Sequence, residues 1–153
     1  MIPTYFAMPI TYYKTTDLQS DVDYLKEFRF DPYVPDSEEN DAGYKKHGMS
    51  HFTGLISRMD FRACVFRSFH DGSISRGVAT ETIYCLNKGI PVLELIDIDI
   101  NGLDRIRVAR AISMDEIQRR ELTIAETRSM LASIKQSPAL NGIGGPNHEY
   151  SPI

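Results

Sequence analysis

The sequence predicts an α/β protein built on one doubly wound sheet of about five mainly parallel strands, with helices on both faces. Three observations carry that expectation. Apolar runs of strand length alternate with stretches whose apolar residues recur at helical spacing. The central runs, such as Ala63-Cys64-Val65-Phe66, are apolar throughout, as in parallel strands covered on both faces. Finally, 153 residues with 42% hydrophobic content suffice for one compact domain with a sizeable core.

Residues 2–10 open with an apolar run closed by Pro9, read as strand one. Thr16-Asp17-Leu18-Gln19 fits a capping box with Thr16 as N-cap, and Leu18, Val22 and Leu25 then mark one helical face. Residues 30–34 are a short second strand. Residues 35–43 are polar, acidic and bounded by Pro35 and Gly43, which predicts a loop. Residues 44–59 read as one helix, with Phe52, Leu55, Ile56 and Met59 on one side. Residues 61–69 form a buried third strand, and 70–77 a Gly/Ser loop. Residues 78–88 are a helix with Gly89 as its C-terminal stop. Residues 90–96 give strand four. Residues 105–112 give strand five, along which Arg105, Arg107 and Arg110 are spaced. Ser113-x-x-Glu116 and Thr123-x-x-Glu126 are two more capping boxes, so the last helical region divides, its second part running to about Lys135. Residues 1–136 thus make one domain, and 137–153 an irregular tail rich in Gly, Pro and Asn. With the order 2-1-3-4-5 the sheet is flavodoxin-like. Ligands of such sheets bind at the carboxyl ends of the strands, where residues 8–15 and 70–77 should meet.

Charge and composition remove several classes of function. Seventeen basic against 21 acidic residues leave a net charge of −4, a poor match for a nucleic-acid backbone. No apolar run reaches the roughly 18–20 residues that span a bilayer, and the first residues lack the basic start of a signal peptide. A cytoplasmic enzyme or small-molecule-binding module remains. Cys64 and Cys85, the only cysteines, lie among apolar neighbours and read first as buried thiols, second as redox or nucleophilic groups.

The most informative stretch is Asp71-Gly-Ser-Ile-Ser75-Arg-Gly77-Val-Ala-Thr-Glu81. It joins a buried strand to a helix, where a phosphate-binding loop would lie. Gly77 lets the backbone approach an anion, Ser73 and Ser75 offer hydroxyl donors, and the helix N-terminus adds free amides. Glu81 is placed in the first helical turn, where the local field keeps a carboxylate ionised. It is either a nucleophile or a surface glutamate favoured at that position. The loop after strand one supplies the facing wall, with Pro9, Ile10 and Tyr12 as candidate contacts; Tyr13 and Phe6 are further stacking candidates.

Tyr5-Phe-Ala-Met-Pro9, then Ser75-x-Gly77-x-x-x-Glu81, then Lys88-Gly-Ile-Pro-Val-Leu resembles the nucleoside 2-deoxyribosyltransferase superfamily. The likeness is strongest to its nucleotide N-glycosidase branch: deoxynucleoside 5'-monophosphate N-hydrolases and CMP hydrolases. It covers the order of elements over residues 3–96. The resemblance implies that Glu81 attacks the anomeric carbon, that Ser75 contacts the 5'-phosphate, and that Tyr5 hydrogen-bonds the nucleophile. It implies a hydrolase releasing free base and sugar phosphate, without metal or organic cofactor, acting as a homo-oligomer of two or more subunits. Base exchange by a deoxyribosyltransferase, or a non-catalytic nucleotide-sensing module, are the alternatives.

The chain departs from that pattern in two places. The acidic residue that handles the leaving base falls near Ile56, an aliphatic side chain, and Asp60 nearby is expected to face elsewhere. Asp71 is the substitute candidate, or else a turn residue. The loop after strand one lacks the arginine or glycine pair common at the phosphate. Other signals are weaker. His47 and His51 have the spacing of two metal ligands without a third. Asp97-x-Asp99-x-Asn101-Gly102 imitates a calcium loop but has Val108 where a glutamate is needed, and reads as a strand-ending turn. The acidic segment 36–43 is either a lid over the site or a solvated connector.

Overall fold

The computed structural model describes residues 1–102 and 104–136. Five strands form one sheet in the order β2-β1-β3-β4-β5. Strand β1 (Ile2–Ala7) runs parallel to β2 (Phe30–Tyr33) on one side and to β3 (Ala63–Phe66) on the other. Strand β4 (Val92–Ile100) is parallel to β3, and β5 (Asp104–Ala111) is antiparallel to β4. The helices are α1 (Thr16–Glu27), α2 (Glu38–His47), α3 (Ser50–Arg58), α4 (Arg76–Asn87), α5 (Met114–Arg120) and α6 (Ile124–Gln136). This is the doubly wound, flavodoxin-like α/β arrangement.

Alternation along β1 divides the interior. Tyr5 and Ala7 join a cluster containing Ile56, Phe61, Cys64, Phe66, Ile74, Val78, Cys85 and Ile117, contributed by β3, α3, α4 and α5. Phe6 and Met8 join Tyr12, Leu18, Leu25, Val65 and Leu95, on the face covered by α1. Cys64 and Cys85 are buried free thiols; their mutual contact and burial push the Cys64 thiol well above the ordinary range.

Several boundaries differ from expectation, each for a local reason. Strand β1 stops at Ala7, because Pro9 starts a turn of 3-10 helix at Ile10–Tyr12, closed by Tyr12 N–H donating to Pro9 O at 2.9 Å. The N-cap of α1 is Thr15, not Thr16. Its hydroxyl accepts from Leu18 N–H at 3.0 Å and donates to Tyr12 O at 2.8 Å, a second bond that fixes the register.

The segment 35–43 is not a loop throughout: α2 begins at Glu38. Ser37 caps it by accepting from Asn40 N–H. Acidic Glu38, Glu39 and Asp41 fill its first turn and Lys45, Lys46 and His47 its last, as the helix dipole favours. The single helix expected at 44–59 is two, broken at Gly48, whose φ of 64° suits glycine. Gly43 permits the close packing of the pair, since a Cβ there would lie 2.3 Å from the His51 ring. Strand β4 outruns the expected 90–96 because β5 pairs with it through to Ile100. Of the imitation calcium loop, Asp97 and Asp99 lie within β4, and Asn101 and Gly102, both at positive φ, begin the turn. No helix among the described residues is long and apolar enough to cross a membrane. The tail expected at 137–153 lies outside the described residues.

Candidate functional site

The carboxyl ends of β1, β2 and β3 open onto a cavity of about 310 Å³, within the usual size range of small-molecule sites. The loop after β1 contributes Met8, Pro9, Ile10, Tyr13 and Lys14. The passage from β2 into α2 contributes Pro35, Asp36, Ser37, Glu38, Asp41 and Tyr44. Met49 and Phe52 close the far side. Ser75, Gly77, Val78 and Glu81 come from the start of α4, and Thr127 and Leu131 from α6.

Glu81 is the buried carboxylate of this cavity. It sits in the second turn of α4, not the first, because the helix already starts at Arg76. The dipole argument for an ionised carboxylate therefore does not reach it, and desolvation acts in the opposite direction. At 6% exposure, burial pushes the carboxyl up to about 7, against the hydrogen bond from the Tyr5 hydroxyl, which holds it down. Tyr5 itself is fully buried in β1 and stays a neutral donor, since burial and the Glu81 charge both push its hydroxyl up. Among the described residues no cation is paired with Glu81. A carboxyl at about 7, aimed into a cavity and oriented by a phenol, can serve as nucleophile or base near neutral pH.

Ser75 is the N-cap of α4, its hydroxyl oxygen accepting from Val78 N–H at 3.2 Å. The hydroxyl proton is left for a ligand. Arg76 N–H donates to Thr127 Oγ1 at 2.9 Å, which docks α6 against the start of α4. Gly77 lies between these two satisfied amides, and its own N–H has no partner among the described residues. Lys14, from the loop after β1, is the one cation among the described lining residues and holds a left-handed backbone with φ 60°. Ser75, the Gly77 amide and Lys14 each offer this lining a donor to an anion.

The structure brings Glu81, Tyr5, Ser75, Gly77, Pro9 and Ile10 together. It does not bring in Asp71, Ser73 or Tyr12. Asp71 Oδ1 accepts from Ser73 N–H at 2.9 Å and from the Ser73 hydroxyl at 2.5 Å, forming a local turn outside the cavity lining. Despite some burial, those bonds hold the Asp71 carboxyl below its ordinary range, which suits a turn and not a proton donor. Tyr12 turns into the core and donates to Asp21 at 2.7 Å, while Tyr13 takes the lining position. Ile56 is buried in the core at 2% exposure. His51 bonds Asn40 Oδ1 at 2.8 Å, pinning α3 to α2.

Sequence reasoning missed Lys14, Met49, Thr127 and Leu131 as lining residues. Lys14 carried no signal beyond its neighbourhood. Thr127 and Leu131 lie in a helix that only tertiary packing returns to the start of α4. No family model matches the chain, and no curated protein matches it.

Proposed function

We propose that the protein is an N-glycosidase acting on a (deoxy)nucleoside 5'-monophosphate, releasing the free base and the sugar phosphate. One observation carries this reading. A buried carboxylate with no counter-cation among the described residues, Glu81, is held by Tyr5 in a cavity whose lining also offers donors to an anion. Burying a carboxylate unpaired is costly, and a cavity that admits an electrophilic carbon gives the cost a use.

In the proposed reaction the Glu81 carboxylate attacks C1' through an oxocarbenium-like transition state as the base leaves with the bonding pair and takes its proton from solvent water. Water then resolves the glycosyl-enzyme, returning the carboxylate. The Tyr5 hydroxyl keeps one carboxylate oxygen in place and leaves the other to react. Ser75, the Gly77 amide and Lys14 suit the 5'-phosphate, which anchors the sugar relative to Glu81. Tyr13, Tyr44 and Phe52 supply flat apolar surface for a base. Within this reading the protein is a homo-oligomer, and sedimentation showing a monomer would remove that element alone.

The deciding experiment is a screen of nucleoside 5'-monophosphates for released base, run in parallel with Glu81→Gln. Release by the wild type and its loss in the variant is the expected outcome. Base release that survives in Glu81→Gln within a few-fold removes Glu81 from the chemistry. Ser75→Ala sharpens the phosphate assignment: kcat/KM should fall about 10–150-fold for monophosphates and little for nucleosides. Equal losses for both would place the phosphate elsewhere.

A further inference from the structure

Strand β5 closes one edge of the sheet, and among the described residues no strand pairs with its outer side. Its ladder with β4 is unbroken from the Leu93–Ala111 couple to Ile100–Asp104. The strand holds no proline, so every backbone donor along it is kept. Ile112 N–H donates to Val92 O at 3.3 Å, which makes those two a hydrogen-bonded couple. Such couples recur at every second residue of an antiparallel ladder. Asp104, Ile106, Val108 and Arg110 therefore turn their N–H and C=O groups to β4, and Arg105, Arg107, Ala109 and Ala111 turn theirs outward.

The side chains of β5 carry a second pattern. Asp104, Ile106, Val108 and Arg110 share one face, in the order acid, apolar, apolar, base. Ile98, opposite Ile106, and Ile100 carry the apolar band onto β4, and all three isoleucines are exposed. Arg110 bonds Glu94 and Glu116 through Nη2 alone among the described residues, and 42% of its side chain is open to solvent. On the other face Arg107 is already engaged. Its Nε lies 2.9 Å from Asp21, its Nη2 donates to Ser20 Oγ at 2.8 Å, and its guanidinium covers the Tyr24 ring.

We propose that β5 is a docking edge for a second copy of this chain, paired antiparallel about a twofold axis at Arg107 so that one sheet runs through both chains. The strand itself specifies the register. Outward groups sit on odd-numbered residues, so the two edges must oppose odd to odd. With the axis at Arg107, Asp104 lies opposite Arg110 of the second copy, and Ile106 opposite Val108 of the second copy. Moving the axis to Ile106 sets Asp104 against Val108, and moving it to Val108 sets Asp104 against Ile112. Only the Arg107 register matches charge with charge and aliphatic with aliphatic, the couples that stabilise a ladder. The two Arg107 side chains that meet at the axis are each turned back to Asp21 of their own chain. This surface stands whether or not the cavity is an N-glycosidase site, and the cavity, at the ends of β1, β2 and β3, lies clear of it.

Sedimentation equilibrium of the wild type at micromolar concentration should give twice the chain mass of 17.4 kDa. Ala109→Pro removes one outward donor from each chain and no bond to β4, so it should raise the dimer dissociation constant at least about 10-fold with an unchanged circular dichroism spectrum. Cross-linking tests the register and decides alone where Ala109→Pro disturbs the fold. Ile106→Cys and Val108→Cys, purified separately and mixed under oxidation, should form a disulfide with each other and neither with itself, because facing residues that share no backbone bonds lie within disulfide reach. A monomeric wild type overturns the proposal, including one whose β5 amides resist hydrogen exchange because its own residues 137–153 cover the edge. A dimer that survives Ala109→Pro and forms no disulfide between the two cysteine variants overturns the β5 surface. A disulfide of either variant with itself overturns the register and the charge pairing that carries the proposal.

Discussion

Glu81 and Asp21 are both buried carboxylates on helices that pack against the same sheet, and they are treated in opposite ways. Asp21, fully buried in α1, receives a two-point grip from Arg67: Nε at 2.8 Å and Nη2 at 2.7 Å. The Tyr12 hydroxyl adds a third bond at 2.7 Å, and Arg107 from β5 sits at 2.9 Å. Arg67 goes on to Leu95 O and to Asp97, which ties α1, β3 and β4 together. Glu94 in β4 is handled likewise, by Arg110 and Arg120, and Arg120 also holds the 70–77 loop through Gly72 O at 2.8 Å. Glu81 has a phenol and an open cavity. The contrast teaches where charge was buried for structure and where it was left with reactive capacity. Saturated carboxylates fix elements to each other, and the unsaturated one faces the space a ligand can enter.

The largest effect expected of that contrast is on catalysis. Glu81→Gln should lower base release at least about 10³-fold, as loss of a nucleophile does, while leaving the fold intact by circular dichroism. The mirror experiment is Asp21→Asn. It should leave Arg67 buried and under-paired, and cost about 3–5 kcal/mol of stability in a denaturant melt. A small stability change there would show that the Arg67 network is not the anchor described.

The pH dependence sharpens the comparison next. The Glu81 carboxyl is pushed up to about 7 in the fold, above its value in the unfolded chain. Between those two values the folded state holds more protons than the unfolded state. Stability is therefore greatest below the unfolded pKa, falls as pH rises towards 7, and levels off above it. The fall is on the order of 3 kcal/mol, and Glu81→Gln should abolish it. The same ionisation predicts an acidic limb near pH 7 in kcat/KM, since the attacking form is the carboxylate. A stability curve of wild type that is flat from pH 5 to 8 would contradict the burial argument.

The smallest effect belongs to Tyr5. Its hydrogen bond holds the Glu81 carboxyl down, so Tyr5→Phe should move the acidic limb to higher pH and lower kcat about 10-fold. An unmoved limb would detach Tyr5 from the tuning of Glu81.

Much of this was legible in the chain itself. The fold class followed from the alternation of apolar runs and helical periods, because parallel strands need crossovers and central strands need apolar faces. The Ser75-x-Gly77-x-x-x-Glu81 spacing put a helix cap, a free amide and a carboxylate at one strand end, and all three line the cavity. Some errors were avoidable. Asn101-Gly102 after the alternating Ile96, Ile98 and Ile100 is a hairpin signal, and it leads into the antiparallel β5. Ser37-x-x-Asn40, with acids before and bases after, carried the marks of a capped helix.

The rest was decided only in three dimensions. Local pattern fixes which residues are helical or extended, since spacing and caps act within a few positions. It determined the fold class and the place of the loop that leads to Glu81. It could not determine the state of Glu81, because desolvation depends on what covers the residue, and α6 and the β1 loop come from distant parts of the chain. Nor could it tell Tyr12 from Tyr13: the Arg67–Asp21 pair, 46 residues apart in sequence, lies where it takes up the first and leaves the second to the cavity. Charge pairing and burial are set by neighbours in space, and those neighbours exist only once the sheet has closed its layers.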